Sequence, residues 1–232
     1  MADARRLRLA AAALLTGLLA AGLPAAAAEK TGKPHPPAGK AEKAEGDKAE
    51  GQGVKIEGFR SAAFGMTEAQ LRTAIRKDFG LAGDKVAVEE NRAQRTTALT
   101  IAVADLLPDA GPARISYILG FKSKRLFQVN ILWGGAAGPE VEPEKLNEAA
   151  ATLRDYFLGA GYAGDSVAVN AQASDGSLVW FTGADAQKRT TILRTLPLPP
   201  AKEGEKPRAG LFLSYIQDPQ NPDIFRIAKG QF

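Results

Sequence analysis

Few side chains in this chain have the chemistry that catalysis requires. There is no cysteine, and the single histidine, His35, lies between two prolines near the N-terminus. Cysteine–histidine and serine–histidine–aspartate sites are therefore excluded from the rest of the chain. Paired carboxylates remain, and Asp105 and Asp185 occupy equivalent positions in two similar stretches. Because both stand where aspartate commonly caps or turns the backbone, we expect no enzyme.

Metal, cofactor and nucleic-acid sites lack their usual sequence signals. The chain has no loop of closely spaced oxygen ligands for calcium, and no glycine-rich loop that opens a helix and holds phosphate. Its 30 basic and 26 acidic residues give a net charge of +4, and Arg5, Arg6 and Arg8 stand among the first eight residues. No basic stripe interleaved with aromatic residues is present. We therefore expect no metal, no cofactor and no nucleic-acid partner.

An internal repeat organises the chain. Residues 80–88, GLAGDKVAV, recur as residues 161–169, GYAGDSVAV, with seven of nine positions identical. Residues 97–105 align with 177–185, and residues 115–131 align with 213–229, in both cases without a gap. The two segments of the last match lie further apart in the sequence than the two segments of either other match. This difference predicts about 18 additional residues in the second half, with a possible extra strand at 188–196.

Hydrophobic periodicity predicts the elements of each half. Thr67 and Gln70 form a capping-box pattern before a helix that Gly80 ends. Pro143 begins a second apolar stripe that ends at Gly161. Alternating apolar residues follow each helix, and Trp133 is expected in the core. The predicted fold class is α+β, with two tandem repeats at 54–139 and 140–232. Each repeat is a helix packed on a three- or four-stranded antiparallel sheet.

The first 53 residues predict export followed by a tether. Residues 1–28 have a basic start, an uncharged apolar stretch, a proline and three alanines, which is typical of a signal peptide cleaved after Ala28. The alternative is an uncleaved anchor in the inner membrane, since residues 9–28 are long enough to span a bilayer. Residues 29–53 hold no large apolar side chain and predict a disordered linker. The predicted location is the periplasm.

Strand alternation predicts a binding face on the side of the sheet that the helices leave open. Apolar, aromatic and arginine side chains among polar neighbours are typical of a protein interface. The candidate contact residues are Trp180, Phe212, Ile216, Arg114, Gln128 and Arg226. Two alternatives stay open: the other half or residues 187–207 cover this face, or a one-residue slip inverts the assignment.

The short motif at 64–67, Phe-Gly-Met-Thr, precedes the first amphipathic helix. This motif resembles the start of the small outer-membrane-assembly lipoproteins of the SmpA/OmlA type. The tandem helix-plus-sheet units are similar to the β-lactamase-inhibitor-like fold, whose concave sheet face binds other proteins. The resemblance implies this fold and favours protein binding. The repeat, the composition of the open face and the lack of catalytic side chains predict a non-catalytic module that binds another envelope protein. A module that binds a small ligand, lipid or cell-wall glycan in a groove between the repeats is the alternative.

Export can be tested on the chain with its own N-terminus, expressed in a bacterium that has a periplasm. We expect the periplasmic product to begin at Glu29, because the alanines at 26–28 supply the small residues that signal peptidase needs. Intact mass and N-terminal sequencing measure this. Full-length protein in the membrane fraction would instead support the uncleaved anchor.

Overall fold

The computed structural model describes residues 53–135, 137–138, 140–198, 200, 208–227 and 230. The predicted signal peptide and all of the predicted linker except residue 53 lie outside the described residues. Gly53–Phe232 forms one compact unit. No helix within the described ranges is long and apolar enough to cross a membrane.

Helices and strands alternate in the same order twice along the described part of the chain. A short hairpin comes first, and each α-helix is then followed by a 3-10 turn and four strands. From the N-terminus the elements are β1 Gly58–Phe59, β2 Ala62–Ala63, α1 Glu68–Phe79, β3 Ala87–Asn91, β4 Thr96–Val103, β5 Ala113–Leu119, β6 Leu126–Gly134, α2 Pro143–Leu158, β7 Ala168–Gln172, β8 Leu178–Ala184, β9 Thr190–Leu198 and β10 Arg208–Ile216. The predicted α+β class is confirmed.

The eight longer strands form one antiparallel sheet. Their order is β3-β4-β5-β6-β10-β9-β8-β7. Strands β6 and β10 pair at its centre, with Leu132 opposite Phe212 and Gly134 opposite Gly210. The prediction of a separate sheet for each repeat is therefore wrong. Each four-stranded group alone would leave one inner strand with unpaired backbone N–H and C=O groups, and the pairing of β6 with β10 satisfies both.

The spacing of the strands shows that the match of residues 115–131 with 213–229 aligns strands that are not equivalent. The offset between the 3-10 turns, Gly83–Lys85 and Gly164–Ser166, is almost equal to the offset between the first residues of β6 and β10. Strand β10 thus holds the position of β6 in the element order, whereas the match of 115–131 with 213–229 set it on β5. The expected extra strand at 188–196 is the regular strand β9, and residues 224–227 form no strand. All inner strands alternate their residue types with a period of two. Sequence similarity between two strands therefore does not show which strands of the two halves correspond.

Both helices pack on one face of the sheet. Thr67 and Gln70 form the predicted capping box, and Gly80 ends α1 with φ 68°. Helix α2 ends at Leu158, three residues before the predicted Gly161. The buried helix residues join strand residues in one cluster that includes Leu71, Ile75, Leu146, Ala150, Ile115, Ile131, Leu193, Leu213 and the predicted core residue Trp133. The hairpin packs on the same face, where Phe59 stacks on Tyr215.

The residues after β10 contact the turns at one end of the sheet. The Asp223 carboxylate accepts hydrogen bonds from the backbone N–H groups of Lys122 and Ser123, each at 2.9 Å. Phe225 donates its N–H to the carbonyl of Gln94, and the Arg95 guanidinium lies 3.7 Å from the centroid of the Phe225 ring. We call residues 218–227 the C-terminal clasp, because they join the end of the chain to the turns before β4 and β6.

Asp185 anchors the start of the described chain to the β8–β9 turn. Its buried carboxylate accepts hydrogen bonds from the backbone N–H of Ile56 at 3.0 Å and of Gln187 at 2.9 Å. Arg189 donates to it from both its backbone N–H, at 3.0 Å, and its Nε, at 2.7 Å. Asp185 is thus a structural acceptor for two segments that lie far apart in sequence.

Replacement of Asp185 by alanine should strongly destabilise the protein. The change leaves three backbone N–H groups without their acceptor and the Arg189 guanidinium, 16% exposed, without its ion-pair partner. We expect the free energy of unfolding to fall by about 3 kcal/mol, measured by urea denaturation. The control is Asp105→Ala, since Asp105 is exposed; its effect should stay within about 0.5 kcal/mol. Equal effects of the two substitutions would contradict this role.

Candidate interaction face

The second face of the sheet has no helix on it within the described residues. Side chains of five inner strands, β4, β5, β6, β10 and β9, form rows across this helix-free face, because directly paired residues point to the same side. One row contains Arg114, Leu132, Phe212 and Arg194, and the next contains Thr100, Ser116, Asn130 and Ser214. A third contains Ile118, Gln128, Ile216 and Thr190. A polar row thus lies between two rows that mix apolar with polar or charged side chains.

Hydrogen bonds satisfy the central polar row. The Asn130 Oδ1 atom accepts from Gln128 Nε2 and from Ser214 Oγ, each at 2.8 Å. The hydroxyls of Thr100 and Ser116 lie 3.2 Å apart. Asn130 is only 4% exposed and Ser214 only 2%. The row is therefore a fixed polar network, and its donors and acceptors hold the inner strands in register.

Arg194 is the most deeply buried charged side chain of this face. Its side chain is 7% exposed, and Nη1 donates to the carboxylate of Asp175 at 3.2 Å. Its guanidinium carbon lies 5.4 Å from the centroid of the Phe212 ring. Burial lowers the pKa of Arg194, and the nearby Asp175 carboxylate acts in the opposite direction. At the other end of the row, Arg114 forms an ion pair with Glu89.

Four of the six predicted contact residues lie on the helix-free face. Arg114 and Gln128 are half-buried there, whereas Phe212 is 6% exposed and Ile216 is 5% exposed. The last two side chains pack among their neighbours in the rows. The accessible part of the face is therefore formed mainly by Arg114, Gln128 and the half-buried residues beside them, such as Leu132 and Ile192.

The other two predicted contact residues lie elsewhere. Trp180 packs against the core on the helix side, where its Nε1 donates to Thr195 Oγ1 at 2.7 Å and Arg154 of α2 lies 5.9 Å from its ring. The register of β8 against β9 shifts between Val179 and Phe181, and this bulge turns Trp180 to the face opposite the one that simple alternation predicts. Arg226 is exposed in the C-terminal clasp, outside any strand.

A second bulge moves another residue from its predicted face. The register of β5 against β6 shifts between Ile118 and Leu119, so Leu126 pairs with Leu119 and joins the cluster under the helices. Regular alternation from Gln128 would instead place Leu126 on the helix-free face. Arg194 was not predicted at all, because residues 188–196 were interpreted as a possible extra strand. Assignment of residues 188–196 to an inner strand of the sheet would have placed Arg194 on the helix-free face.

The two carboxylates at equivalent positions of the sequence repeat, Asp105 and Asp185, lie far apart. Asp105 follows β4 and Asp185 follows β8, and these strands are five positions apart in the sheet, or about 24 Å at about 4.8 Å per strand. The two strands also run in opposite directions, so their C-terminal ends lie at opposite ends of the sheet. Asp105 is exposed, and Asp185 is buried with four hydrogen bonds. The two cannot act on one substrate atom.

Comparisons of this chain with protein-family models, with curated proteins and with solved structures give no match. The similarity to the β-lactamase-inhibitor-like and SmpA/OmlA-type proteins stays a prediction. What the helix-free face can do therefore has to follow from its own geometry.

The Asp175–Arg194 pair predicts a pH-dependent contribution to stability. Hydrogen bonds from the Ser177 hydroxyl and backbone, with the charge of Arg194, hold the pKa of Asp175 below its usual value. The contribution is therefore complete above the unfolded pKa of about 3.9 and is lost as the pH falls through the lower folded pKa. Because Asp175 is exposed and solvent screens its charge, Asp175→Asn should lower the free energy of unfolding at pH 7 by about 1 kcal/mol, and by less at pH 3.

Urea denaturation of both proteins at the two pH values measures this difference. Ser177→Ala is the companion variant, because it removes the hydroxyl that donates to Asp175 at 2.6 Å but keeps the carboxylate. It should cause a smaller loss of the same sign. A difference between the original protein and Asp175→Asn that is as large at pH 3 as at pH 7 would show that the charge of Asp175 has no part in it.

Proposed function

We propose that this chain is an exported, non-catalytic protein of the cell envelope that binds another protein through its helix-free face. The observation that carries the proposal is a broad sheet face on which no described helix or hairpin packs. Eight strands at about 4.8 Å span about 34 Å, and a seven-residue strand is about 23 Å long. The product is a geometric area of about 800 Å², and its accessible part is formed by the half-buried side chains around Arg114, Gln128 and Leu132.

The composition of the face suits a protein partner. Half-buried Leu132 and Ile192 supply apolar contact area, and Arg114 and Gln128 supply polar groups near them. Because Phe212 and Ile216 are almost fully buried in the rows, they fix the shape of the face more than they add to its contact area. Arginine and apolar side chains on a rigid platform are typical of interfaces whose binding energy is concentrated at a few residues.

The two-repeat interpretation belongs to the same proposal. Two halves, 54–139 and 140–232, would be tandem repeats that have joined their sheets edge to edge. The repeated element order supports this, as do the nearly equal offsets between the two 3-10 turns and between β6 and β10. The predicted signal peptide and linker would deliver the module to the periplasm and leave its face free to meet a partner. The resemblance to the inhibitor-like fold agrees in favouring protein binding.

The alternative of a ligand groove between the repeats gains no support from the sheet. Seven residue pairs, from Gly210 and Gly134 to Ile216 and Gln128, join β10 to β6 at the place where the halves meet. A continuous strand ladder therefore joins the halves within the sheet, and the described strands leave no gap there. This alternative predicts a low-mass adduct on the purified protein, whereas our proposal predicts a cross-link to a protein.

Site-specific photo-cross-linking in intact cells tests the proposal. A benzoylphenylalanine residue replaces Gln128, half-buried on the helix-free face, or Tyr156, which is 69% exposed on α2. We expect a discrete protein adduct from position 128 and none from position 156, because only the first position faces the partner. Gel shift and mass spectrometry identify the adduct. The more exposed Tyr156 makes the control a demanding one, since exposure alone would favour it.

A second substitution ties the adduct to the face. Arg114→Glu reverses a half-buried charge beside Leu132 and should reduce the adduct from position 128 severalfold. Circular dichroism checks that the fold is kept. No adduct from position 128, equal adducts from positions 128 and 156, or an adduct that Arg114→Glu leaves unchanged would each overturn binding through this face.

A further inference from the structure

Arg194 has an unused donor in a buried position. Its Nε atom has no hydrogen-bond partner within the described residues, and its side chain is 7% exposed. A buried N–H without an acceptor is unfavourable, and most such groups in folded proteins are paired. The guanidinium has five N–H donors in a planar fork, and Asp175 takes only Nη1, at 3.2 Å. The Nε–H of Arg194 therefore lacks, in the free protein, the acceptor that a buried donor normally has.

The neighbours of Arg194 restrict what that acceptor is. The Phe212 ring, with its centroid 5.4 Å from the guanidinium carbon, and Leu132 beside it form an apolar floor. The Asp175 carboxylate, already bonded to Nη1, repels a doubly charged anion more strongly than a singly charged one. A planar, singly charged carboxylate matches the fork of arginine in shape and charge. Phosphate matches it less well at this position.

We propose that Arg194 binds a carboxylate side chain of the partner protein, an aspartate or glutamate whose neighbours pack on the half-buried Leu132 and Ile192. The inference rests on the proposed function and names the chemistry that the partner brings to the helix-free face. Because Nε is buried, the guanidinium must turn outward to meet the carboxylate. The single bond to Asp175 holds it in the free protein, and Asp175 is itself 36% exposed. Arg194 is then the anchor of the interface and Arg114, three strands away, lies at its rim.

Side-chain NMR of the full chain tests this directly through the arginine Nε–H resonances. The probe is a capped peptide of alternating glutamate and leucine, and the matched peptide has glutamine in place of glutamate. We expect the Arg194 resonance to move downfield, and to saturate, with the glutamate peptide only. Arg189 is the internal control, because its Nε already donates to Asp185 at 2.7 Å. Its resonance should not move.

Two results would overturn the inference without reference to any variant. If the Arg194 and Arg189 resonances stay still, or move alike, the glutamate peptide does not bind at Arg194. If inorganic phosphate or acetate alone shifts Arg194 as far and at as low a concentration as the glutamate peptide, the acceptor is a small anion and not a partner side chain. Both results come from the unmodified protein, so they hold even where an Arg194 variant fails to fold.

Variants extend the test to affinity. Arg194→Met should weaken binding of the glutamate peptide by about tenfold or more, and Arg194→Lys by less, because lysine keeps the charge but has no planar fork. Arg154→Met on the helix side is the control and should bind as the original protein does. Circular dichroism selects the variants that fold. Equal affinities of folded Arg194→Met and Arg154→Met would overturn the assignment.

The same variants separate this inference from the function on which it rests. If Arg194→Met folds and still gives the full adduct from position 128, the partner binds the face without a carboxylate at Arg194, and only the inference fails. If the unmodified protein gives no adduct from position 128, the proposed function fails as well. An adduct that Arg194→Met greatly reduces supports both.

Discussion

The pairing of β6 with β10 is the constraint on which the rest of this structure depends. Seven residue pairs join two four-stranded groups into one sheet, and the row of Leu132 and Phe212 crosses that seam. Without it, each group would expose an inner strand edge, and the helix-free face would be two narrow faces. The seam also sets which side chains share a row. Arg114 and Arg194 stand in the same row only because Leu132 and Phe212 are opposite each other between them.

Local patterns predicted the elements but not how they associate. The capping box at Thr67 and the core position of Trp133 follow from contacts within a turn or from simple periodicity, and both are confirmed. The seam joins residues from opposite halves of the sequence, and no local signal specifies it. The alternation of apolar and polar residues also does not show where a strand contains a bulge. A single added residue at Trp180 or near Leu126 reverses the facing of its neighbours, so correct strands still gave wrong faces at these two positions.

Much of the candidate site could nevertheless be predicted from sequence. Arg114, Gln128, Phe212 and Ile216 lie on one face because regular alternation holds along the inner strands between the bulges. Arg194 was missed for a different reason. Its strand was assigned to an insertion, and a residue in an insertion has no predicted neighbours. The physical importance of Arg194, a buried charge with one partner and one unused donor, follows only from the cross-strand contacts that the ladder creates.

The C-terminal clasp has a consequence for how the chain reaches this state. Strand β10 closes the seam and Asp223 holds the turn before β6, and both come after the other described strands in the sequence. Until they emerge from the ribosome or a translocation channel, β6 has an open edge, and the first half cannot complete its sheet. Pairing of such distant segments is slow, because a long loop must close before any contact forms. An incomplete chain therefore exposes an apolar strand edge, a typical target for chaperones and a typical origin of aggregation.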